Sequence, residues 1–250
     1  MSNHKTPIVS IITVVFNGAK TLRATMDSIV SYLGDEVEHI VIDGGSTDGS
    51  QDIIAEYAGH LAYWVSERDS GIYDAWNKGL ARASGRYISF VGADDVLLPD
   101  AMGAYLSHIR QQPEIEYWSS KVALGHMAGR VIGQPWRWNR FRRYMTVAHV
   151  GSLHRRDLYD RFGAYDMSYR IVGDYEFLLR AGASLKAGFV DQVTAVMGDG
   201  GVSNKFAFQA LVETVSAKKK TNATSLVVAS FDYYIARFKQ VARSWISQTS

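Results

Sequence analysis

The first hundred positions alternate between two hydrophobic registers. Ile8 to Phe16 is a nearly continuous Ile/Val run broken only by polar Ser10, Thr13 and the terminal Asn17-Gly18, the signature of a strand covered on both faces. Lys20–Tyr32 follows with Leu22, Met26, Ile29 and Val30 at helical spacing. The alternation repeats, with strands expected at Val37–Ile42, Leu61–Val65 and Tyr87–Val91, and helices at Ser50–Ala58 and Tyr73–Ala83. Strand and helix in strict succession define βαβ units, hence an α/β fold with a mainly parallel sheet flanked by helices. Three of the four strands run directly into polar clusters: Asn17, then Asp43-Gly44-Gly45-Ser46-Thr47-Asp48-Gly49, then Gly92-Ala93-Asp94-Asp95. In an open α/β sheet that carboxyl edge is where ligands bind.

Past residue 100 the rhythm loosens. A helix is expected over Asp100–Arg110, irregular strand-like structure over Tyr117–Ile132, a helix over Tyr175–Ala183 and a strand within Ala187–Met197. Gly198-Asp199-Gly200-Gly201 reads as a flexible loop, and the stretch from Ala207 is helical in pattern and basic. With no repeat and no linker, the expected organisation is one domain over residues 1–206, with a ligand-binding half at about 1–98 and an acceptor half at about 99–206. A helical tail over 207–250 completes it.

Composition narrows the chemistry. The 250 residues are 47% hydrophobic and 21% charged, with a net charge of +2, ordinary values that leave ample core and no bulk basicity for nucleic acid. There is no cysteine, which removes disulfides, thiolate metal sites and thiol nucleophiles and fits a cytoplasmic setting. Ile8–Phe16 is too polar-interrupted to act as a signal peptide, and no run approaches the roughly 20 apolar residues of a membrane span. His149 and His154 are five apart, off the spacing of four that a helical zinc site needs.

Candidate chemistry therefore rests on carboxylates. Asp94-Asp95 at a strand end offers hard oxygen donors of the kind Mg²⁺ or Mn²⁺ prefers when bound to substrate phosphates; the same pair could simply cap the segment that follows. Asp43 could accept hydrogen bonds from a nucleotide base or ribose, or merely hold the turn in which it lies. Asp174 precedes the helical run Tyr175–Leu179 and could be its N-cap or a proton acceptor. No Walker-type glycine-lysine loop is present.

Five strings in this order resemble the family 2 glycosyltransferases: VSIITVVFNGAKTLRATMDSI, HIVIDGGSTDGSQDII, SERDSGIYDAWNKGLARASGRYISFVGADD, HVGSLHRRDLYDRFGAYDMSYRIVGDYEFLLR and GDGGVS, spanning residues 7 to about 204. The resemblance implies the Rossmann-like GT-A fold and transfer of a sugar from a nucleoside-diphosphate sugar, UDP being the default. It makes Asn17, Asp43, Asp69 and Asp94 donor-side residues and Asp95 the metal ligand for Mg²⁺ or Mn²⁺. Asp174 matches the family's catalytic base, and the His149 region lies beside the diphosphate and acceptor. The motif reads GADD here, so its first position carries no carboxylate.

The acceptor expected on this resemblance is a glycan or a polyprenyl-diphosphate-linked sugar, used in making a bacterial surface glycan or glycolipid. The run Trp136 to Tyr144 interleaves Arg137, Arg140, Arg142 and Arg143 with aromatics, a composition that suits single-stranded nucleic acid, a membrane interface or a solvated loop; beside the other motifs an anionic acceptor is favoured. In the tail, Phe231, Tyr234, Ile235, Phe238, Val241, Ala242 and Trp245 recur at helical spacing near Arg237, Lys239 and Arg243. That stripe could meet a membrane peripherally, the domain itself, or a second subunit in a homodimer. The rival readings are a noncatalytic nucleotide-sugar-binding module and a nucleic-acid binder using the Arg/Trp run.

Overall fold

The computed structural model describes residues 6–125, 129–198 and 206–248, with side chains described as far as Phe238. The chain forms β1 (Val9–Val15), α1 (Ala19–Val30), β2 (Val37–Asp43), α2 (Ser50–Tyr57), β3 (Tyr63–Ser66), α3 (Ile72–Arg82) and β4 (Tyr87–Gly92). There follow β5 (Val96–Leu97), α4 (Ala101–Gln111), β6 (Tyr117–Leu124), β7 (Val131–Ile132), α5 (Trp138–Phe141), β8 (Ser152–Arg155) and α6 (Asp157–Phe162). The last elements are α7 (Gly173–Ala181), β9 (Ala187–Met197), α8 (Ala207–Lys220) and α9 (Leu226–Gln248).

All nine strands join one sheet in the order β3-β2-β1-β4-β8-β6-β9-β5, with β7 paired to β6. The first four are parallel, as their alternation with helices requires, and their register sets Val15 beside Asp43, Val14 beside Gly92 and Asp43 beside Ser66. The second half is mixed: β8 is antiparallel to β4 and β6, β5 is antiparallel to β9, and only β6 and β9 run parallel. The unbroken parallel run thus ends at β4, beyond which β5, β7 and β8, of two to four residues, join the longer parallel pair β6 and β9.

Period-two alternation explains the layers. Ile12, Ile40, Ile42, Ile88 and Phe90 face one side and pack with Tyr73, Trp76, Phe177 and Leu178 of α3 and α7. Val9, Ile11, Val37 and Val91 face the other, beneath Ile29 of α1 and Met102, Tyr105 and Ile109 of α4. Both faces are covered, which is why β1 and β2 read as almost unbroken apolar runs. Gly79 is required where α3 crosses β1, since a methyl group there would lie 2.5 Å from Ile12 Cγ2.

The tail is built into this core. Ala217 of α8 and Ala223 just beyond it are buried in the same cluster as α7. Buried Lys218 donates to Asp232 of α9 at 2.8 Å, and Arg143 Nη2 donates to the same carboxylate at 2.5 Å.

Candidate active site

The register of the parallel strands lines up the ends of β1, β2, β3 and β4, and two adjoining clusters form there. The first is a braced loop. Asp43 is fully buried, and its carboxylate accepts from the Gly45 N–H (3.2 Å), the Ser46 N–H (3.0 Å), the Ser46 hydroxyl and the Ser66 hydroxyl. Three of those donors reach Oδ2 and one reaches Oδ1, which keeps a lone pair. The turn alternative is therefore realised, and Asp43 shapes the loop whichever further donor it meets. Asn17, at φ 52°, does likewise: its N–H donates to Ser46 Oγ (2.7 Å) and its Oδ1 accepts from the Thr47 N–H (2.9 Å). Asp48 ties the starts of two helices, accepting from the Ser50 hydroxyl and from the Ala19 and Ser50 N–H groups, and these bonds hold its carboxyl below the usual range.

Asp69 reaches this loop from the β3–α3 connection. Its Oδ1 accepts from the Gly71 N–H (2.9 Å), and a methyl group on Gly44 would lie 2.4 Å from its Oδ2 and 3.4 Å from the Phe16 ring. Phe16, 67% exposed, is a large aromatic face left open beside Asp69. The apolar pattern assigned it to the end of the first strand, so sequence reading gave it no role.

The second cluster is a cavity of about 500 Å³ lined by Asp94, Asp95, Trp76, His149, Asp174 and Thr214, among others. It brings together three of the carboxylates expected from the sequence. Asp95 is 8% exposed; its Oδ2 accepts from the Gly92 N–H and its Oδ1 from the Gly198 N–H, both at 2.9 Å. Burial, with the charge of Asp94 added, pushes its carboxyl up to about 6. Asp94 is wedged between two glycines: a methyl group on Gly198 would lie 2.5 Å from its carboxylate.

This pair fits a hard divalent cation. Both groups are oxygen donors at a cavity wall, and a buried carboxylate strained by its neighbour's charge is what a cation relieves. Among the described residues no group of three or more His, Asp or Glu side chains could hold a metal, so two carboxylates would leave positions for water and substrate phosphate. Asp199 and most of the GDGGVS string lie outside the described residues.

Asp174 occupies the first turn of α7, but not its cap. The cap position is Val172, which corrects the N-cap alternative. Its Oδ1 accepts from the Tyr175 N–H at 2.8 Å, and burial pushes its carboxyl up to about 6, partly offset by that bond and by the nearby Tyr73 hydroxyl. Tyr73 in turn accepts from the Gly173 N–H at 2.7 Å, and a methyl group on Gly173 would lie 2.8 Å from the Tyr73 ring. Only glycine lets this ring sit under the start of the helix. Neighbouring Glu176 is buried and ion-paired to Arg180 at 3.0 Å, and it does not line the cavity.

A residue with no signal in the sequence completes the arrangement. Glu213 of α8 accepts from the N–H groups of Arg170 (3.2 Å), Ile171 (2.9 Å) and Val172 (3.2 Å), clamping the chain just before Asp174. His149 stacks on Trp76, ring centroids 4.5 Å apart, and has no protein partner for either buried ring nitrogen. Burial lowers it to about 3, so it is neutral. His154 is deeper, 3.0 Å from the Tyr159 hydroxyl through Nδ1, a core histidine.

The Trp136–Tyr144 run separates by chemistry. Phe141 is fully buried, with half-buried Trp136 4.2 Å away, whereas Tyr144 is exposed.

A parallel βαβ half joined to a mixed half, flanked by helices, is the GT-A architecture. Two solved structures share it. S. aureus TarS 1-349 in complex with UDP-GlcNAc superposes with a TM-score of 0.68 at 15% identity, over 90% of this chain and 70% of that one. The mannosyltransferase PcManGT from Pyrobaculum calidifontis, in complex with GDP-Man and Mn²⁺, gives a TM-score of 0.68 at 18% identity, over 95% and 75%. At the sequence level, an uncharacterized glycosyltransferase of Mycobacterium tuberculosis is 36% identical over 187 residues, 70% of this chain and 69% of the relative. The pattern of Glycosyl transferase family 2 matches residues 10–161, and the protein belongs to that family: it is a glycosyltransferase.

Proposed function

We propose that the protein is an inverting, divalent-metal-dependent glycosyltransferase that uses a nucleoside-diphosphate sugar, UDP-linked by preference, and a hydroxyl acceptor on a glycan or polyprenyl-diphosphate-linked sugar. The observation that carries this is the convergence of Asp94, Asp95 and Asp174 on one cavity at the carboxyl edge of the sheet. Asp94 and Asp95 would hold Mg²⁺ or Mn²⁺, which supplies Lewis-acid neutralisation of the departing diphosphate when bound.

The chain's own residues do the rest. The loop braced by Asp43 and Asn17 receives the nucleoside, with Phe16 and Asp69 offering an aromatic face and an acceptor oxygen to the base and ribose. Asp174 takes the proton of the acceptor hydroxyl as that oxygen bonds to the anomeric carbon and the bond to the diphosphate breaks. A single displacement needs one base and inverts the centre; a retaining double displacement would need a nucleophile as well. His149, neutral and with ring nitrogens unspent on protein, is placed to donate to a diphosphate or acceptor oxygen. Phe141, fully buried, is removed from the Arg/Trp run as a base-stacking ring, and the net charge of +2 supplies no bulk attraction for nucleic acid.

The test is a thermal-shift screen of nucleoside-diphosphate sugars with Mn²⁺ or Mg²⁺. A ligand at about 100 times its Kd adds roughly 2.7 kcal/mol to the native state, an easily read rise in Tm. A rise with one nucleotide sugar that EDTA reverses is expected; no rise with any nucleotide and metal would contradict the proposal.

A further inference from the structure

The helices α8 and α9 contain two acids, Glu213 and Asp232, against six lysines and arginines over residues 207–248, of which Lys218 is buried against Asp232 and Lys220 is paired with Asp166. Both acids are turned inward. Glu213 is committed to the backbone of residues 170–172, and Asp232, 3% exposed, to Lys218, Arg143 and Tyr144. No described carboxylate of these helices is left on their outer side.

Asp232 and buried Ala229 fix which way α9 is rotated. On its opposite side Val227, Phe231, Tyr234 and Phe238 recur at intervals of four, three and four, exposed by 80%, 59%, 69% and 74%. At 3.6 residues per turn they lie within a sector of about 60°. Val241 and Trp245 continue the same spacing in the sequence, although their side chains lie outside the described residues. Phe208 and Val212 of α8 are also about half exposed, and the Arg237 guanidinium lies 4.5 Å from the centre of the Phe208 ring, joining the two helices.

We propose that α8 and α9 form a docking face for an anionic lipid bilayer, on which the protein lies peripherally. An aromatic and aliphatic stripe flanked by cations with no exposed acid is the chemistry that enters the headgroup boundary of such a surface. Among the described residues no helix is long and apolar enough to cross it. A second copy is the poorer occupant, because an isologous contact would set two cationic faces against each other.

The face is continuous with the active site. Arg143 and Tyr144, bonded to Asp232, line a cavity of about 540 Å³ with Asn139 and Arg140. Arg140 and Tyr144 border the next cavity together with Arg130, and that one shares Ile132, Met145 and Val147 with the cavity holding Asp174. Among the described residues no acid lines either of these two outer cavities. An acceptor with an anionic head in the same bilayer would meet Arg143, Arg140 and Arg130 on its way to the rim of the cavity that holds Asp174. This docking stands on the tail's own chemistry and does not depend on the donor-side reading.

Co-sedimentation of the full chain with phosphatidylcholine vesicles, with and without phosphatidylglycerol, tests it. Binding to the anionic vesicles is expected, weakened by salt, and the double variant Phe231→Ser/Phe238→Ser should lose it by about tenfold or more. The double variant should keep the wild-type Tm, since both rings are exposed. Wild-type protein left in the supernatant with both vesicles at low salt, or undiminished binding by the folded variant, would overturn the proposal. So would dimerisation in sedimentation velocity that the same substitutions abolish, because the stripe would then belong to a second copy.

Discussion

Asp174 carries a carboxyl raised to about 6 by burial in the first turn of α7, inside a cavity wide enough for a sugar hydroxyl. A base must be ionised to accept a proton, so turnover should rise as pH increases through about 6 and level off above it. The native state holds this proton more tightly than the unfolded chain. The stability this proton contributes is therefore fully present below the ordinary value of 3.8 and is lost as pH rises through about 6. Asp174→Asn, which cannot ionise, should then be at least as stable as wild type at pH 7 in thermal melts. Its turnover should fall by roughly 10² to 10⁴ with donor affinity retained. Near-normal turnover in the folded variant would remove Asp174 as the base. Asp43 behaves differently. Its carboxylate holds four loop donors, so Asp43→Ala should weaken metal-free nucleoside-diphosphate binding and also lower unfolding free energy by about 1–3 kcal/mol. A loss confined to acceptor affinity would show that the loop does not serve the donor. The sequence pointed to both aspartates because each ends or begins a regular element. It could not reveal that Asp43 faces inward, since burial at a turn depends on Ser66, 23 residues away.

Among the elements, α8 has a role that its own pattern conceals. Glu213 grips the N–H groups just before the base-bearing turn, and Thr214 lines the cavity, so the tail helps to build the catalytic half. Glu213→Ala should cost about 1–3 kcal/mol in denaturant unfolding, the range for bonds to a charged group. Glu213→Gln should lower turnover more than donor affinity, because the clamp sets the start of α7 rather than the nucleotide loop. Unchanged turnover in a Gln variant of normal stability would show the clamp to be structural only. Local pattern disclosed the parallel half well: β1, β2, α3 and β4 lie within two residues of where alternation put them, and β9 spans Ala187–Met197 as read. It failed for the short strands of the mixed half. β5, β7 and β8 have two to four residues each, too few for a period to register, and their places come from pairing with β9, β6 and β4. The start of α7 at Gly173 was also hidden, since glycine there answers to the Tyr73 ring across the core.

At the scale of the whole molecule, the sheet changes from parallel to mixed beyond β4, and the donor loop and the base come from opposite sides of that change. Asp94 and Asp95 stand at the boundary, held by Gly92 on one side and Gly198 on the other. This placement suits a cation shared between the protein and a diphosphate, and it makes metal dependence the feature on which the account turns. Calorimetric titration of UDP and UDP-sugars into wild type and Asp95→Ala, each with Mn²⁺ and with EDTA, addresses it directly. Mn²⁺ should tighten binding to wild type by tenfold or more, a gain of about 1.4 kcal/mol. Asp95→Ala should bind as weakly with Mn²⁺ as wild type does in EDTA. Equal affinity of wild type with Mn²⁺ and with EDTA, or an undiminished metal effect in a folded Asp95→Ala, would contradict it.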